Sequence, residues 1–147
     1  MPWIYLSLEQ AIETHRKTIE VSGGGMIGHL ELGKLDSVLA HIRNDDYYPN
    51  FDEKLTHLFF CTCRFHSFLD GNKRIAITLC AQMLLLNGYL RNVSAFIVSA
   101  ENISYHVAAG RISKELLGKW MKAVLTGEED NEELKLEILH AISDTNP

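Results

Sequence analysis

The stretch Leu55 to Leu86, LTHLFFCTCRFHSFLDGNKRIAITLCAQMLLL, holds two apolar runs around a polar centre. In the first run, from Asp52, Leu55, Leu58, Phe59 and Thr62 recur at helical spacing along one side, while Phe60, Cys61 and Cys63 fill the other. The second run, Arg74 to Leu86, is apolar almost all round through Ile75, Ala76, Ile77, Leu79, Cys80, Met83, Leu84 and Leu85, and Asn87-Gly88 supplies a C-terminal stop. A helix that is apolar on nearly every side belongs in the interior. The spacing therefore predicts two central helices packed on each other, joined by the polar segment between them.

Outward from this pair the apolar spacing stays at three and four residues, with little of the strict alternation of a half-buried strand, so the fold class expected is all-α. Upstream, Ser7-Leu8-Glu9-Gln10 has the form in which a serine and a glutamine at a helix start satisfy each other's backbone donors, and Leu8, Ala11, Ile12 and Ile19 carry that helix to about Val21. Ser22-Gly23-Gly24-Gly25 breaks it. Leu32, Leu35, Leu39 and Ile42 mark a second helix, ended before Tyr47-Tyr48-Pro49. Downstream, a short helix is expected from Ser99 to Gly110, with Ala108 and Ala109 allowing close approach. Ser113 then caps a run whose stripe is Leu116, Leu117, Trp120, Met121, Val124 and Leu125. Leu134, Leu136, Ile138, Leu139 and Ile142 suit one last helix.

The 147 residues make about one domain's worth, and 46% apolar with 22% charged residues excludes disordered and fibrous classes. No apolar stretch approaches the ~20 residues that span a bilayer, and no signal-like segment opens the chain, which places the expected location in the cytoplasm. Cys61, Cys63 and Cys80 are an odd count among apolar neighbours and read as reduced, buried thiols; the seven scattered histidines give structural zinc little weight. The net charge of −5 is concentrated after Thr126, where seven acids face one Lys135. Residues 1–125 are left with 13 basic and 12 acidic groups, too balanced for the positive footprint that nucleic acid requires. Tyr47 and Tyr48 then read as loop packing, His57 and His106 as structural, and Trp3 and Trp120 as core.

The chemistry lies in His66-Ser67-Phe68-Leu69-Asp70-Gly71-Asn72-Lys73-Arg74. A loop that opens a helix at Gly71-Asn72 presents backbone N–H groups with the helix dipole behind them, which is an anion site. Gly71 lacks a Cβ, so a phosphate can approach the backbone, and Lys73 and Arg74 add a point charge and a planar fork. Asn72 can cap the helix or donate to the anion. Asp70 is the one carboxylate of the stretch, a hard oxygen ligand of the kind that holds Mg²⁺ beside phosphates. His66, with an unperturbed pKa of about 6.5, can take a proton from an attacking hydroxyl. Single turn dipeptides and Lys-Arg pairs are ordinary solvent-facing features; a solvated turn has no use for all of these groups at once between two apolar helices.

These nine residues resemble the signature of the Fic/Doc superfamily, H-x-F-x-[DE]-[AG]-N-[GK]-R, at all its fixed positions. The resemblance extends over about residues 5–125 and implies a Fic-type bundle of about six helices, followed by an acidic C-terminal extension at 126–147 that goes beyond it. In that frame Gly23 to Gly28 falls at the target-binding flap, and Gly110-Arg111-Ile112-Ser113 is similar to the start of the last helix in Doc, or death-on-curing, toxins. Within the superfamily the variable positions side with Doc. AMP-transferases usually have Pro after the His and G-N-G-R at the end, where this chain has Ser67 and Gly71-Asn72-Lys73-Arg74. In Doc toxins the similar lysine goes with an inverted ATP and phosphorylation of elongation factor Tu. Gly71 is shared with the AMP-transferases, where Doc often has Ala.

By resemblance, His66 is the base acting on a target Ser or Thr, Asp70 holds Mg²⁺, and Gly71, Asn72, Lys73 and Arg74 hold the phosphates of ATP. The implied toxin would be restrained by an antitoxin in trans. The self-silencing motif [ST]-x-x-x-E-[GN] has no true match; Thr126 to Asn131 comes nearest, with Asp130 in place of Glu. Protein AMP-transfer is the alternative activity, and a catalytically silent Fic-fold binding module the alternative class.

Overall fold

A computed structural model of the chain describes residues 3–21, 32–64 and 71–143. The described residues form seven helices and no strand: α1 (Leu8–Val21), α2 (Leu32–His41), α3 (Phe51–Arg64), α4 (Asn72–Leu86), α5 (Leu90–Ala108), α6 (Lys114–Thr126) and α7 (Glu132–Ser143). The all-α expectation holds. None of these helices is long and apolar enough to cross a membrane.

Local chemistry fixes the ends. The Ser7 hydroxyl accepts from the Gln10 N–H at 3.1 Å while the Gln10 side chain accepts from the Ser7 N–H at 2.8 Å, closing the reciprocal cap at the head of α1. Ser113 accepts from the Leu116 N–H at 3.1 Å and starts α6. At the far end of α4 the Tyr89 N–H reaches back to the Leu84 carbonyl at 2.9 Å across Gly88, whose φ of +88° suits glycine. Asn87 adds a staple: its side chain donates to Met83 and Ile4 carbonyls and accepts from the Ile4 N–H, so the segment before α1 is tied to the end of α4.

α3 is the axis, with Leu55, Leu58, Phe59, Cys61, Thr62 and Cys63 buried around its circumference. α4 packs beside it, burying Ile75, Ala76, Leu79, Cys80, Met83 and Leu84, and the Cys80 thiol lies 3.7 Å from the Leu55 carbonyl. Phe59 meets Phe96 of α5 edge-on at 5.9 Å and Trp120 of α6 at 6.2 Å, while Phe96 and Trp120 stand 5.5 Å apart, so one aromatic cluster joins three helices. Trp3 stacks on Phe51 at 4.4 Å rather than entering the centre. The three cysteines are free and buried.

Two expectations need correction. The helix expected over Ser99 to Gly110 begins nine residues earlier, at Leu90, because Phe96 anchors its first half in the aromatic cluster. Ala108 and Ala109 are exposed and mediate no close approach. α7 forms where a last helix is expected, yet of its apolar residues only Leu134 is buried and Leu136 and Leu139 face solvent.

Lys54 is fully buried in α3, where its ammonium donates to the Ile42 carbonyl at 2.8 Å and to Asp45 at 2.6 Å. It thereby satisfies a carbonyl just beyond the end of α2 and pins the α2–α3 connection. Burial pulls its pKa down, but Asp45 and Tyr5 outweigh that and hold it above the ordinary lysine value. A raised pKa gives stability that is complete below the unfolded value and is lost as pH climbs through the folded one. Lys54→Met, which keeps the volume and deletes the donors, is expected to cost about 1–3 kcal/mol in urea unfolding at pH 7. The gap between variant and wild type should narrow above about pH 10.5; a gap independent of pH would show that the charge contributes nothing.

Candidate active site

The last turn of α3 and the first turn of α4 bracket the segment 65–70, so the two buried helices hold both ends of the motif. His66, Ser67, Phe68 and Asp70 lie outside the described residues, and their assignment rests on the sequence. Gly71, Asn72, Lys73 and Arg74 are described, and they come together at the head of α4.

Gly71 is the N-cap, with φ +80° and ψ 17°, a left-handed conformation that costs an L-residue roughly 1–2 kcal/mol. Its carbonyl accepts the Ile75 N–H at 2.8 Å, the first turn of the helix. Space argues for glycine as well as φ does. A Cβ placed there would stand 3.1 Å from Ile19 Cδ1, 3.6 Å from His15 Nε2 and 3.7 Å from Arg74 Nη2. The first two contacts show that α1 forms the floor beneath the head of α4. The third shows the Arg74 guanidinium folded back over the helix start, where its fork adds to the positive end of the dipole. Lys73 is exposed one position earlier. Its charge reaches the buried Cys63 thiol at the end of α3: burial pushes that thiol up to about 12, and Lys73 opposes the shift. Cys80 is likewise raised well above the ordinary value by complete burial and then by Cys63, so neither sulfur is a nucleophile at neutral pH.

Beside Lys73 and Arg74 opens a cleft of about 540 Å³ between α1, α4 and α5. Thr18, Ile77 and Thr78 line one part, and Ile97, Glu101, Ser104 and Tyr105 the other. Its mixture of apolar wall, hydroxyls and two cations at one end matches what a nucleoside phosphate needs. Of the four described motif residues, Lys73 and Arg74 line this cleft and are the groups that could meet the phosphates of ATP there. Among the described residues no group of three His, Cys, Asp or Glu could hold a metal, so an Mg²⁺ site would draw on Asp70 and the phosphate oxygens themselves.

Sequence reasoning did not single out the floor or the cleft. His15 is 1% exposed and continues the buried stripe Ala11, His15, Ile19, a spacing that marks it as inward-facing. On the α5 side of the cleft only Ile97 precedes the expected helix; Glu101, Ser104 and Tyr105 lie within it, and no spacing records that this helix lies beside α1 and α4.

Residues 5–84 match the Fic/DOC family, more than half of the chain, and the protein belongs to that family. The match takes in α1, α2, α3, the motif and α4 as far as Leu84; Gly110 to Ser113 and everything after lie outside it. Family members are in general AMPylating or phosphotransferase enzymes and typically use ATP and Mg²⁺. No curated protein sequence matches the chain.

Proposed function

We propose that this Fic-fold protein is a Doc-type toxin, moving the γ-phosphoryl group of ATP to a Ser or Thr hydroxyl of a target protein such as elongation factor Tu. The observation that carries the choice is Lys73 at the head of α4, beside the Gly71 cradle and the folded Arg74. By resemblance to Doc toxins, where a second glycine would leave room for a β-phosphate, a lysine side chain would fill that space and favour a nucleotide bound the other way round.

In this scheme His66 accepts the proton of the target hydroxyl as its oxygen bonds to the γ-phosphorus. The bond from that phosphorus to the bridging oxygen breaks, and ADP leaves with the electron pair. ATP supplies the activated phosphoryl group, and Mg²⁺ held by Asp70 would screen its charge. Asn72, Lys73 and Arg74, with the backbone at Gly71, fix the phosphates in line and take up the charge that spreads over their oxygens. A toxin of this kind would act in the cytoplasm under an antitoxin supplied in trans, with residues 126–147 as an extension outside the transferase domain.

The test uses two labels. Purified protein is incubated with a cell lysate and either γ-labelled or α-labelled ATP, and protein-bound label is counted. Retention from the γ position alone is the expected result. Retention from the α position would make the protein an AMP-transferase, a reading that Gly71 shares, and retention from neither would favour a silent binding module.

A further inference from the structure

α7 joins the bundle by little of its surface: Leu134 is buried, while Ile138 and Ile142 are only half-buried. Between α5, α6 and the far part of α7 a groove of about 410 Å³ is left open. Ile103 and Trp120, both buried, line it together with Val98 and Leu139, which are 82% and 55% exposed. Apolar residues scattered singly over a surface need no explanation; these share one concavity, and its apolar wall has nothing packed on it.

The polar part of the same wall holds Glu129, Asp130 and Lys135. Lys135 is paired with Asp130 at 3.1 Å. Glu129 has no such partner: its Oε2 is buried and accepts a hydrogen bond from none of the described residues. A carboxylate oxygen withdrawn from water without a donor is costly, more so than a neutral group. The neighbourhood supplies no surplus of cations, since from Thr126 onward seven acids stand against Lys135 alone, and Lys119 of α6 is held by Glu137 at 3.0 Å. The groove thus combines an apolar wall with one uncompensated negative charge. Its complement is an apolar surface that carries a cation.

We propose that the α5–α6–α7 groove docks a basic amphipathic helix of a partner protein. The apolar face of that helix packs on Val98, Leu139 and Trp120, and one of its Lys or Arg side chains donates to Glu129. A helix laid into such a groove presents residues three and four apart along one line, the arrangement that sets apolar anchors beside a flanking cation. The acidic surroundings favour basic partners and repel acidic ones. The groove lies outside the matched family residues 5–84 and shares no lining residue with the cleft beside Arg74, so docking here holds whether or not the ATP chemistry above is correct.

The probe is a two-heptad helical peptide with Leu on one face and Arg on the other, titrated into the full chain while the indole N–H resonance of Trp120 is followed by NMR. The chain has two tryptophans, so Trp3→Phe assigns the signal. The Trp120 resonance should shift on binding. Glu129→Gln should weaken the affinity about tenfold or more, and Leu139→Ser about fivefold. Glu128→Gln, which removes a neighbouring exposed acid that does not line the groove, should leave it within about twofold. An unmoved Trp120 resonance overturns the proposal, as does a folded Glu129→Gln protein that binds undiminished. Equal losses in Glu128→Gln and Glu129→Gln, or equal binding of a peptide with Gln in place of Leu, would reduce the effect to diffuse attraction and overturn it too. Arginine amide binding as tightly as the peptide would assign the groove to a small cation instead. A dimer in sedimentation that Leu139→Ser dissolves would assign it to a second copy, and either result rejects the partner helix.

Discussion

Replacing His66 by Ala is expected to slow protein modification by about 10²–10⁴-fold, or roughly 3–5 kcal/mol of barrier. The proton of a serine or threonine hydroxyl must leave as its oxygen bonds to phosphorus, and in the nine-residue motif only His66 is an ordinary base at neutral pH. Lys73 and Arg74 are cations that can receive nothing, and Asp70 is committed to the metal in the proposed scheme. The rate should therefore fall while nucleotide affinity stays within a few-fold, because the phosphate-holding groups are untouched. The measurement is initial rate of label transfer against enzyme concentration, together with nucleotide affinity by calorimetry. Unchanged transfer in the variant would remove the imidazole from the mechanism. Growth inhibition that survives the substitution would point to toxicity by binding alone.

Phe59→Ala should be the most damaging change to the fold, at about 3–5 kcal/mol. The side chain is wholly buried at the middle of α3 and touches the aromatic rings of α5 and α6 at once. Truncation loses the transfer energy of a benzyl group, leaves a cavity among three packed helices, and removes one edge-on and one tilted ring contact. Against a total of about 5–15 kcal/mol for an ordinary domain, that loss is a large share. At about 2–4 °C per kcal/mol for a chain of this size, the melting midpoint should fall by on the order of 10 °C. Calorimetry measures it directly, and a fall of only a degree or two would mean that the aromatic cluster is not the keystone described above.

What the sequence made legible was what local rules govern. The serine–glutamine pair before α1 and Ser113 before α6 each have one physical interpretation, and each appears in the structure as expected. α4 corrects its reading: it buries Ile75, Leu79, Met83 and Leu84, but Leu85 and Leu86 are exposed and Ile77 lines the cleft, so it is not enclosed on every side. The first half of α5 failed that test for an identifiable reason. Leu90, Ile97 and Val98 face solvent while Phe96 and Ala100 are buried, so its apolar residues fall on both sides and draw no stripe. Lys54 was illegible for the opposite reason: a lysine in a helical pattern reads as outward-facing, and only the approach of Ile42 and Asp45 makes burial tolerable. At the candidate site, the motif announces its residue types, and the structure adds that Gly71 is left-handed and that Arg74 folds back beside it. The floor and the cleft depend on which helices are brought alongside, and no short pattern records that. His57 read as a structural histidine; its surroundings come from α2, α6 and a loop that no spacing on α3 could reveal.

The closeness of Ile19 and His15 to Gly71 makes the head of α4 and α1 a single jigsaw piece. A methyl group gained at 71 would have to be matched by carbon lost at 19, or by a small retreat of the helix that bears it. Sequence drift at one position therefore licenses or forbids drift at the other. The tolerance of the signature for Ala or Gly is in this chain a property shared with a residue far upstream, so grafting the nine residues onto another bundle without that partner would transplant the letters and leave their footing behind.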